Sequence, residues 1–308
     1  MTKSKHVADL LNRKTKNQAA CAHVGSILKL SVESKGSLSG IIFLCVRLVF
    51  QTITKFEKTI YLLSGSYMLN QHSRTELIFG ADGMSKLFQS KVAVFGVGGV
   101  GGYAVEALAR SGIGRIDLYD NDTFSITNLN RQLHATQKTI GLNKVDVVKE
   151  RIHEINPDAK VGAFKMFYVP ETSHQVDLSQ YDYVVDAIDT VSGKIELVVQ
   201  ANACHVPVIS SMGAGNKVNP ASLEVTDIYK TSICPLAKVM RKELKKRHIP
   251  QLKVVFSKEP ALTPLFDSPE EDTLKRQIPG SNAFVPAAAG LIIASEVIKD
   301  LAEFKIQI

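Results

Sequence analysis

The chain contains no tryptophan and only four cysteines among 308 residues. The missing Trp carries no functional message. The cysteines, Cys21, Cys45, Cys204 and Cys234, form no C-x-x-C pair, which excludes zinc-ribbon spacing. Thiols this sparse suit a reducing cytoplasm better than a disulfide framework. Long apolar runs are also lacking. The longest, Ile41 to Phe50, is broken by Arg47 and falls short of the roughly 18 residues a membrane-spanning helix needs. The basic start has no compact signal-peptide layout with a small-residue cleavage site. The expectation is a soluble cytoplasmic protein with no membrane partner.

Charge is unevenly spread. Residues 1–67 carry ten Lys or Arg against three Asp or Glu, whereas residues 68–308 carry 27 of each sign. The whole excess of +7 therefore sits in the first 67 residues. An anionic partner of the remainder would have to be met by local patches. Residues 1–67 also lack clear periodicity and motifs. They read as a disordered or mis-assigned extension, with Met68 as the working start and residues 68–308 as the functional domain. A small helical addition is the alternative.

From residue 91 the pattern is strand, Gly turn, helix, strand. Strands are predicted over 91–95, 115–119, 161–164, 183–187 and 206–210, with helices over 100–110, 144–155 and 193–203. This alternation predicts an α/β, Rossmann-like fold with a mostly parallel sheet and helices on both faces. Beyond Gly215 the alternation breaks. Strands over 223–227 and 253–256 suggest a small antiparallel, substrate-side extension starting near residue 216. A helix over 235–247, loops through much of 250–280 and a closing helix over 287–304 complete the chain.

Gly96-Val97-Gly98-Gly99-Val100-Gly101 lies between a predicted strand and a predicted helix. In that context Gly96 permits a tight turn, Gly98 and Gly99 let backbone approach phosphate, and Gly101 allows close helix–strand packing. The following helix N-terminus offers N–H groups to an anion. Asp120 ends the second strand, 24 residues after Gly96, where a carboxylate can accept from ribose hydroxyls. These two features alone would fit a nicotinamide-dependent oxidoreductase. The next segment argues otherwise. Asp122 is followed by Asn128, Arg131 and Gln132, then by Lys144 at a helix start. Hydride transfer has no need of this polar and cationic run, whereas cleavage of a triphosphate does. Asp189 follows the central strand at 183–187. It is placed to hold Mg²⁺ on nucleotide phosphates or to cap the next helix.

Taken together, Ser73 to Gly80 (SRTELIFG), the GVGGVGG loop from Gly96, LYDND from Leu118, NLNRQ from Asn128, AIDT from Ala187 and SSMGAG from Ser210 resemble the ubiquitin-activating-type adenylyltransferase superfamily. Within it, the chain from about 69 to 304 is most similar to the tRNA threonylcarbamoyladenosine dehydratases. The resemblance implies ATP and Mg²⁺ as cofactors, with Asp120 on the ribose, Asn128, Arg131 and Lys144 on the phosphates, and Asp189 supporting the metal. It further implies a homodimer in which Arg74 reaches the partner's ATP. The substrate it implies is threonylcarbamoyladenosine in tRNA, whose carboxylate is activated and then cyclised. The alternative is activation of the C-terminus of a ubiquitin-like sulfur-carrier protein. Such relatives commonly carry two C-x-x-C pairs, and this chain has none.

Lys238, Arg241, Lys242, Lys245, Lys246 and Arg247 gather on one predicted helix. They form a candidate tRNA-facing patch or a solvated helix face. Cys234 heads that helix, where a thiol is either activated or simply buried. A sulfur-trafficking protein is a further candidate partner.

Overall fold

The computed structural model describes residues 69–266 and 279–305. The extension expected over 1–67, the start expected at Met68, and Cys21 and Cys45 lie outside the described residues.

The first described helix, Ser73–Gln89 (α1), kinks at Gly80, where φ is +70°. Strand Lys91–Phe95 (β1), helix Gly101–Arg110 (α2) and strand Arg115–Tyr119 (β2) follow. Helix Lys144–Ile155 (α3), strand Lys160–Phe164 (β3), strand Tyr183–Asp186 (β4), helix Val191–Ala203 (α4) and strand Val208–Ser211 (β5) continue the alternation. The last elements are strand Leu223–Asp227 (β6), helix Pro235–Lys246 (α5), strand Lys253–Ser257 (β7) and helix Val285–Leu301 (α6). Among the described residues, no helix is long and apolar enough to cross a membrane.

The strands form one sheet in the order β3-β2-β1-β4-β5-β7-β6. Six run parallel, and β6 lies antiparallel to β7 with Val225 opposite Val255. The fold is thus the predicted Rossmann-like α/β type, and the antiparallel pair extends the main sheet instead of forming a sheet of its own. Alternation along β1 shows why both faces are covered. Val92 and Val94 enter the apolar cluster formed with α2, α3 and α6, whereas Ala93 and Phe95 enter the cluster on the other face with Leu197 of α4. Successive strand side chains point to opposite faces, and a parallel sheet buries both.

Helix stripes follow the apolar spacing. Val145, Val148 and Ile152 are buried positions of α3, and Ala237, Met240 and Leu244 those of α5, as a 3.6-residue period requires. The predicted boundaries shift by up to three residues, the closing helix ending at Leu301 instead of 304, as helix and strand ends commonly fray. Helix α1 is not apparent from periodicity. Its buried side is only Ser73, Gly83, Met84 and Leu87, while Leu77 and Ile78 are 83 % and 64 % exposed. The apolar residues of its first half therefore mark no core-facing stripe.

Candidate nucleotide site

Strand order in the sheet switches sides between β1 and β4. β2 and β3 follow β1 to one side, and β4, β5 and β7 build out the other. The crevice at the carboxyl ends of such strands is where α/β folds hold ligands. Every predicted site residue except Arg74 is carried by the loops and helix starts of this edge.

The glycine loop joins β1 to α2. Gly96 has φ +84°. A Cβ there would lie 2.6 Å from the Ala187 carbonyl oxygen, and one at Gly101 would lie 1.8 Å from the Gly96 oxygen. Both positions are closed to any side chain, because the loop presses against the β4 turn and back on itself. Gly98 and Gly99 differ. A Cβ at either would meet nothing nearer than Gln132 Nε2 at 3.5 Å and Pro286 Cβ at 3.4 Å, respectively. Their backbone is what remains available to a ligand.

Asp120 stands just past β2 and braces this loop. The Val97 N–H donates to its Oδ2 at 2.8 Å and the Asp122 N–H to its Oδ1 at 2.9 Å. Burial pushes its pKa up, partly offset by the Lys144 charge and these two backbone bonds. Each carboxylate oxygen keeps a second lone pair for a ribose hydroxyl.

The 120–143 connection then folds back. A backbone bridge pairs Thr123 with Asn143, and the Lys144 N–H donates to the Asp122 carbonyl at 3.0 Å. Lys144 is consequently buried at the first position of α3, with Nζ 2.7 Å from Asp122 Oδ2. Within the loop, buried Asn128 ends a short 3₁₀ turn and accepts from the Ser125 N–H at 3.1 Å. Arg131 leans over Gly99 and donates to the Thr127 carbonyl and to Asn130 Oδ1. Gln132 is buried against Gly98, and its Oε1 has no hydrogen-bond partner. An orphaned amide at this point is what a bound ligand would satisfy.

On the β4 side, Asp186 is fully buried. It pairs with buried Lys194 at 3.0 Å and accepts from the Ser210 hydroxyl and, at 3.2 Å, from the Ile188 N–H. This cluster ties β4, α4 and β5 to the 187–189 turn. Asp189 at the end of that turn is exposed and makes no hydrogen bond or ion pair among the described residues. It does not cap α4, whose N-cap position is Thr190.

A second cluster joins the three phosphate-side segments from behind. Glu106 of α2 accepts from Arg110 at 2.6 Å and from Arg151 of α3 at 3.0 Å, and its carboxylate lies 3.7 Å from His134 Nε2. Burial raises the Glu106 pKa, but His134, Arg151 and Arg110 more than offset this and hold the carboxyl well below its usual range. Ser210 enters the sequence reading only as the start of the SSMGAG stretch, and Glu106, His134 and Lys194 are missed. Nothing in local spacing marks them, since Glu106 and Arg151 lie 45 residues apart and meet only through packing.

Arg74 stands apart. Its neighbours Gln71 and His72 line a cavity of about 890 Å³ with Lys91, Arg115 and Lys160, the first residues of β1, β2 and β3. That is the opposite edge of the sheet from the glycine loop. His72 packs its ring on Phe88 at 5.2 Å, as an aromatic residue would, and burial lowers its pKa. Arg74 itself is exposed.

The six cations of α5 and its C-cap, Arg247, divide. Lys246 and Arg247 pair with Glu243, and Arg241 donates back to Thr231. Lys238, Lys242 and Lys245 are exposed, without partners among the described residues, and share one face at i, i+4 and i+7. Cys234 is buried in the apolar cluster beneath this helix.

The ThiF family pattern matches residues 70–307, and the chain belongs to that family. It is similar to the tRNA threonylcarbamoyladenosine dehydratase of Bacillus subtilis (strain 168), being 48 % identical over 242 residues that span 76 % of this chain and 95 % of that one. Among solved structures, the E. coli tRNA N6-threonylcarbamoyladenosine dehydratase in complex with AMP matches with a TM-score of 0.68 and 34 % identity. The match covers 75 % of this chain and 93 % of that chain. The same enzyme in complex with ATP gives 0.67 and 32 %, covering 76 % and 94 %.

Proposed function

We propose that this chain is an ATP-dependent dehydratase that activates the carboxylate of threonylcarbamoyladenosine in tRNA and cyclises it. The observation that carries the reading is the convergence of the glycine loop, Asp120, Arg131, Lys144 and Asp189 on one crevice, in a chain that spans nearly the whole length of a dehydratase relative. The chemistry is coherent. A carboxylate oxygen leaves poorly, and its adenylate leaves well. The substrate carboxylate attacks the α-phosphate of ATP, pyrophosphate departs, and the side chain closes on the activated carbonyl as AMP is expelled.

The residues divide that work. Asp120 accepts from the ribose hydroxyls. The N–H groups of Gly98 and Gly99 and the start of α2 receive phosphate oxygens. Asn128 and Gln132 orient the phosphates. Arg131 and Lys144 neutralise charge as pyrophosphate leaves, Lys144 exchanging its Asp122 partner for phosphate. Asp189 is an uncommitted carboxylate at the crevice. It suits Mg²⁺, which is usually held by one or two carboxylates together with substrate phosphates and water. Bound there, the metal would supply positive charge to the leaving group. Among the described residues no group of three or more His, Cys, Asp or Glu side chains is placed to hold a metal ion.

The enzyme acts as a homodimer on this reading. Arg74, Leu77 and Ile78 share one face of α1 at i, i+3 and i+4, and the latter two are solvent-exposed. Ile126 and Leu142 on the phosphate-side loop are likewise 67 % and 50 % exposed. Docking the first face onto the second across a two-fold axis would bury both and deliver Arg74 to the partner's nucleotide. Lys238, Lys242 and Lys245 form the stripe that meets tRNA phosphates. The direct test is ATP turnover. AMP and pyrophosphate should be released with tRNA bearing threonylcarbamoyladenosine, and not with tRNA lacking the modification.

A further inference from the structure

The rim of the crevice on the substrate side has an apolar character that the ATP chemistry does not use. Residues 280–286 cross from one side of the crevice to the other. The Asn130 amide donates to the Ser281 carbonyl at 3.0 Å, and Pro286 lies against Gly99. On the far side, the Asn282 amide donates to the Lys217 carbonyl at 2.6 Å, and the Gly280 N–H donates to Asn216 Oδ1 at 2.6 Å. The Leu262 N–H in turn donates to the Asn216 carbonyl at 2.7 Å. Three segments are thereby stitched together, and they present Val218 at 53 %, Leu262 at 51 % and Phe284 at 47 % exposure, with Leu265 and Phe266 exposed a few residues beyond Leu262.

Phe284 is held firmly despite its exposure. Asn282 Oδ1 accepts from the N–H groups of Phe284 and Val285 at 3.2 and 3.0 Å, and α6 begins immediately after, with Pro286 in its first turn. A phenyl ring carried on a backbone fixed at the N-terminal end of α6 and left half in water is a ready stacking surface. Exposed apolar groups gathered on one rim mark a contact site more often than singly scattered ones do. Single-stranded nucleic acid is recognised by bases that stack on such rings.

We propose that Phe284 is a substrate-binding residue, a platform on which an unpaired nucleobase beside the modified adenosine stacks, with Val218 and Leu262 as its apolar flank. This inference rests on the tRNA reading above and adds to it the surface that holds the loop's bases. Phosphate contacts from the Lys238 stripe would supply affinity without choosing a base, whereas a ring beside the glycine loop would set the adenosine's side chain against the nucleotide.

The absence of tryptophan from the chain provides a clean probe. Phe284→Trp introduces a single indole, and its fluorescence should be quenched, saturably, by an anticodon stem-loop RNA. Phe284→Leu keeps apolar cover but removes the stacking face, and should raise KM for tRNA about 5- to 150-fold, the range that ~1–3 kcal/mol of base stacking gives. KM for ATP should be unchanged, and Phe284→Tyr should restore the tRNA KM. An unquenched indole together with an unaltered tRNA KM in Phe284→Leu, while the unsubstituted protein still modifies tRNA, would overturn the platform alone. A parallel rise in KM for ATP would also overturn it, by showing that the ring only supports the crossing segment. If the unsubstituted protein neither binds nor modifies tRNA, the functional reading fails and the platform with it.

Discussion

The two sides of the crevice are built differently. On the nucleotide side, Asp120 and Lys144 are held by partners within about two dozen residues of chain. Asp120 at the end of β2 braces Val97 at the end of β1, and Lys144 folds onto Asp122 through a bridged loop. On the substrate side, beyond Ser211, irregular loops join the regular elements. Asn216 and Ile233 take positive φ values of 57° and 60°, and segments far apart in sequence hold one another, as Lys217 and Asn282 do. The contrast has a physical basis. A triphosphate is the same object in every enzyme that uses it, so a compact local motif can bind it. A modified nucleoside within a large RNA demands a broad surface assembled from distant loops.

The strongest test of the nucleotide side is Asp189→Asn. The amide preserves shape but removes the charge proposed to hold Mg²⁺. Turnover should fall on the order of 100-fold or more, as for loss of a preorganised electrostatic group, while ATP affinity changes little. Raised Mg²⁺ should recover part of the rate in steady-state assays. Near-normal turnover would remove Asp189 from the mechanism.

Close behind comes a complementation experiment. Arg74→Ala and Lys144→Ala should each be severely impaired alone. Mixed heterodimers should regain about one good site in two, because each defect then falls at a different composite site. Verified heterodimers without recovered activity would place Arg74 outside the partner's nucleotide site.

Asp120→Asn separates binding from folding. Loss of hydrogen bonds to a charged group worth ~1.5–3 kcal/mol should weaken ATP about 10- to 150-fold by calorimetry. The nucleotide-free protein should respond in the opposite sense. Burial raises the folded-state pKa of Asp120 above its unfolded value, so its ionised form at neutral pH costs stability, and that cost is relieved as pH falls through the folded pKa. Thermal melts of Asp120→Asn at neutral pH should therefore be higher than those of the unsubstituted protein, with the difference closing in acid. A lower melt at neutral pH would show that the bonds to Val97 and Asp122 outweigh the burial cost.

Legibility in the sequence follows the same division. The glycine loop, Asp120, the Asn128–Gln132 run and Lys144 are legible because each sits at a set offset from a strand end or helix start. Lys144 reads as a phosphate ligand, but its burial against Asp122 depends on a loop closure that spacing does not encode. The Asp186–Lys194–Ser210 cluster and the Glu106–His134–Arg151 cluster are invisible, since each gathers residues from separate elements. The basic helix is legible as a charge run. Only packing divides it into paired cations and the free face of Lys238, Lys242 and Lys245.

That division sharpens the test of the substrate side. Neutralising Lys238, Lys242 and Lys245 together should weaken tRNA binding. The slope of log affinity against log salt should become shallower by about 0.9 for each duplex phosphate that loses its cation. ATP binding should stay constant. Neutralising Lys246, already paired with Glu243, should have much less effect, and equal effects would dissolve the distinction. The smallest effect is expected from removing residues 1–67. They fall before the family match at 70–307, and a chain starting at Met68 should retain ATP-dependent activity within about two-fold, a change of under ~0.5 kcal/mol. Insolubility or inactivity of that chain beside an active full chain would assign the extension a role.

Use of ATP on a carboxylate within tRNA can be read out most directly by mass spectrometry of nucleosides. Purified protein, ATP and Mg²⁺ would be incubated with tRNA containing threonylcarbamoyladenosine, and the RNA digested under conditions that preserve the cyclic product. That nucleoside should be converted to a species lighter by one water, dependent on ATP and matched by AMP release. An unchanged nucleoside, with pyrophosphate exchange appearing only when a Gly-Gly-ended carrier protein is supplied, would contradict this use of ATP.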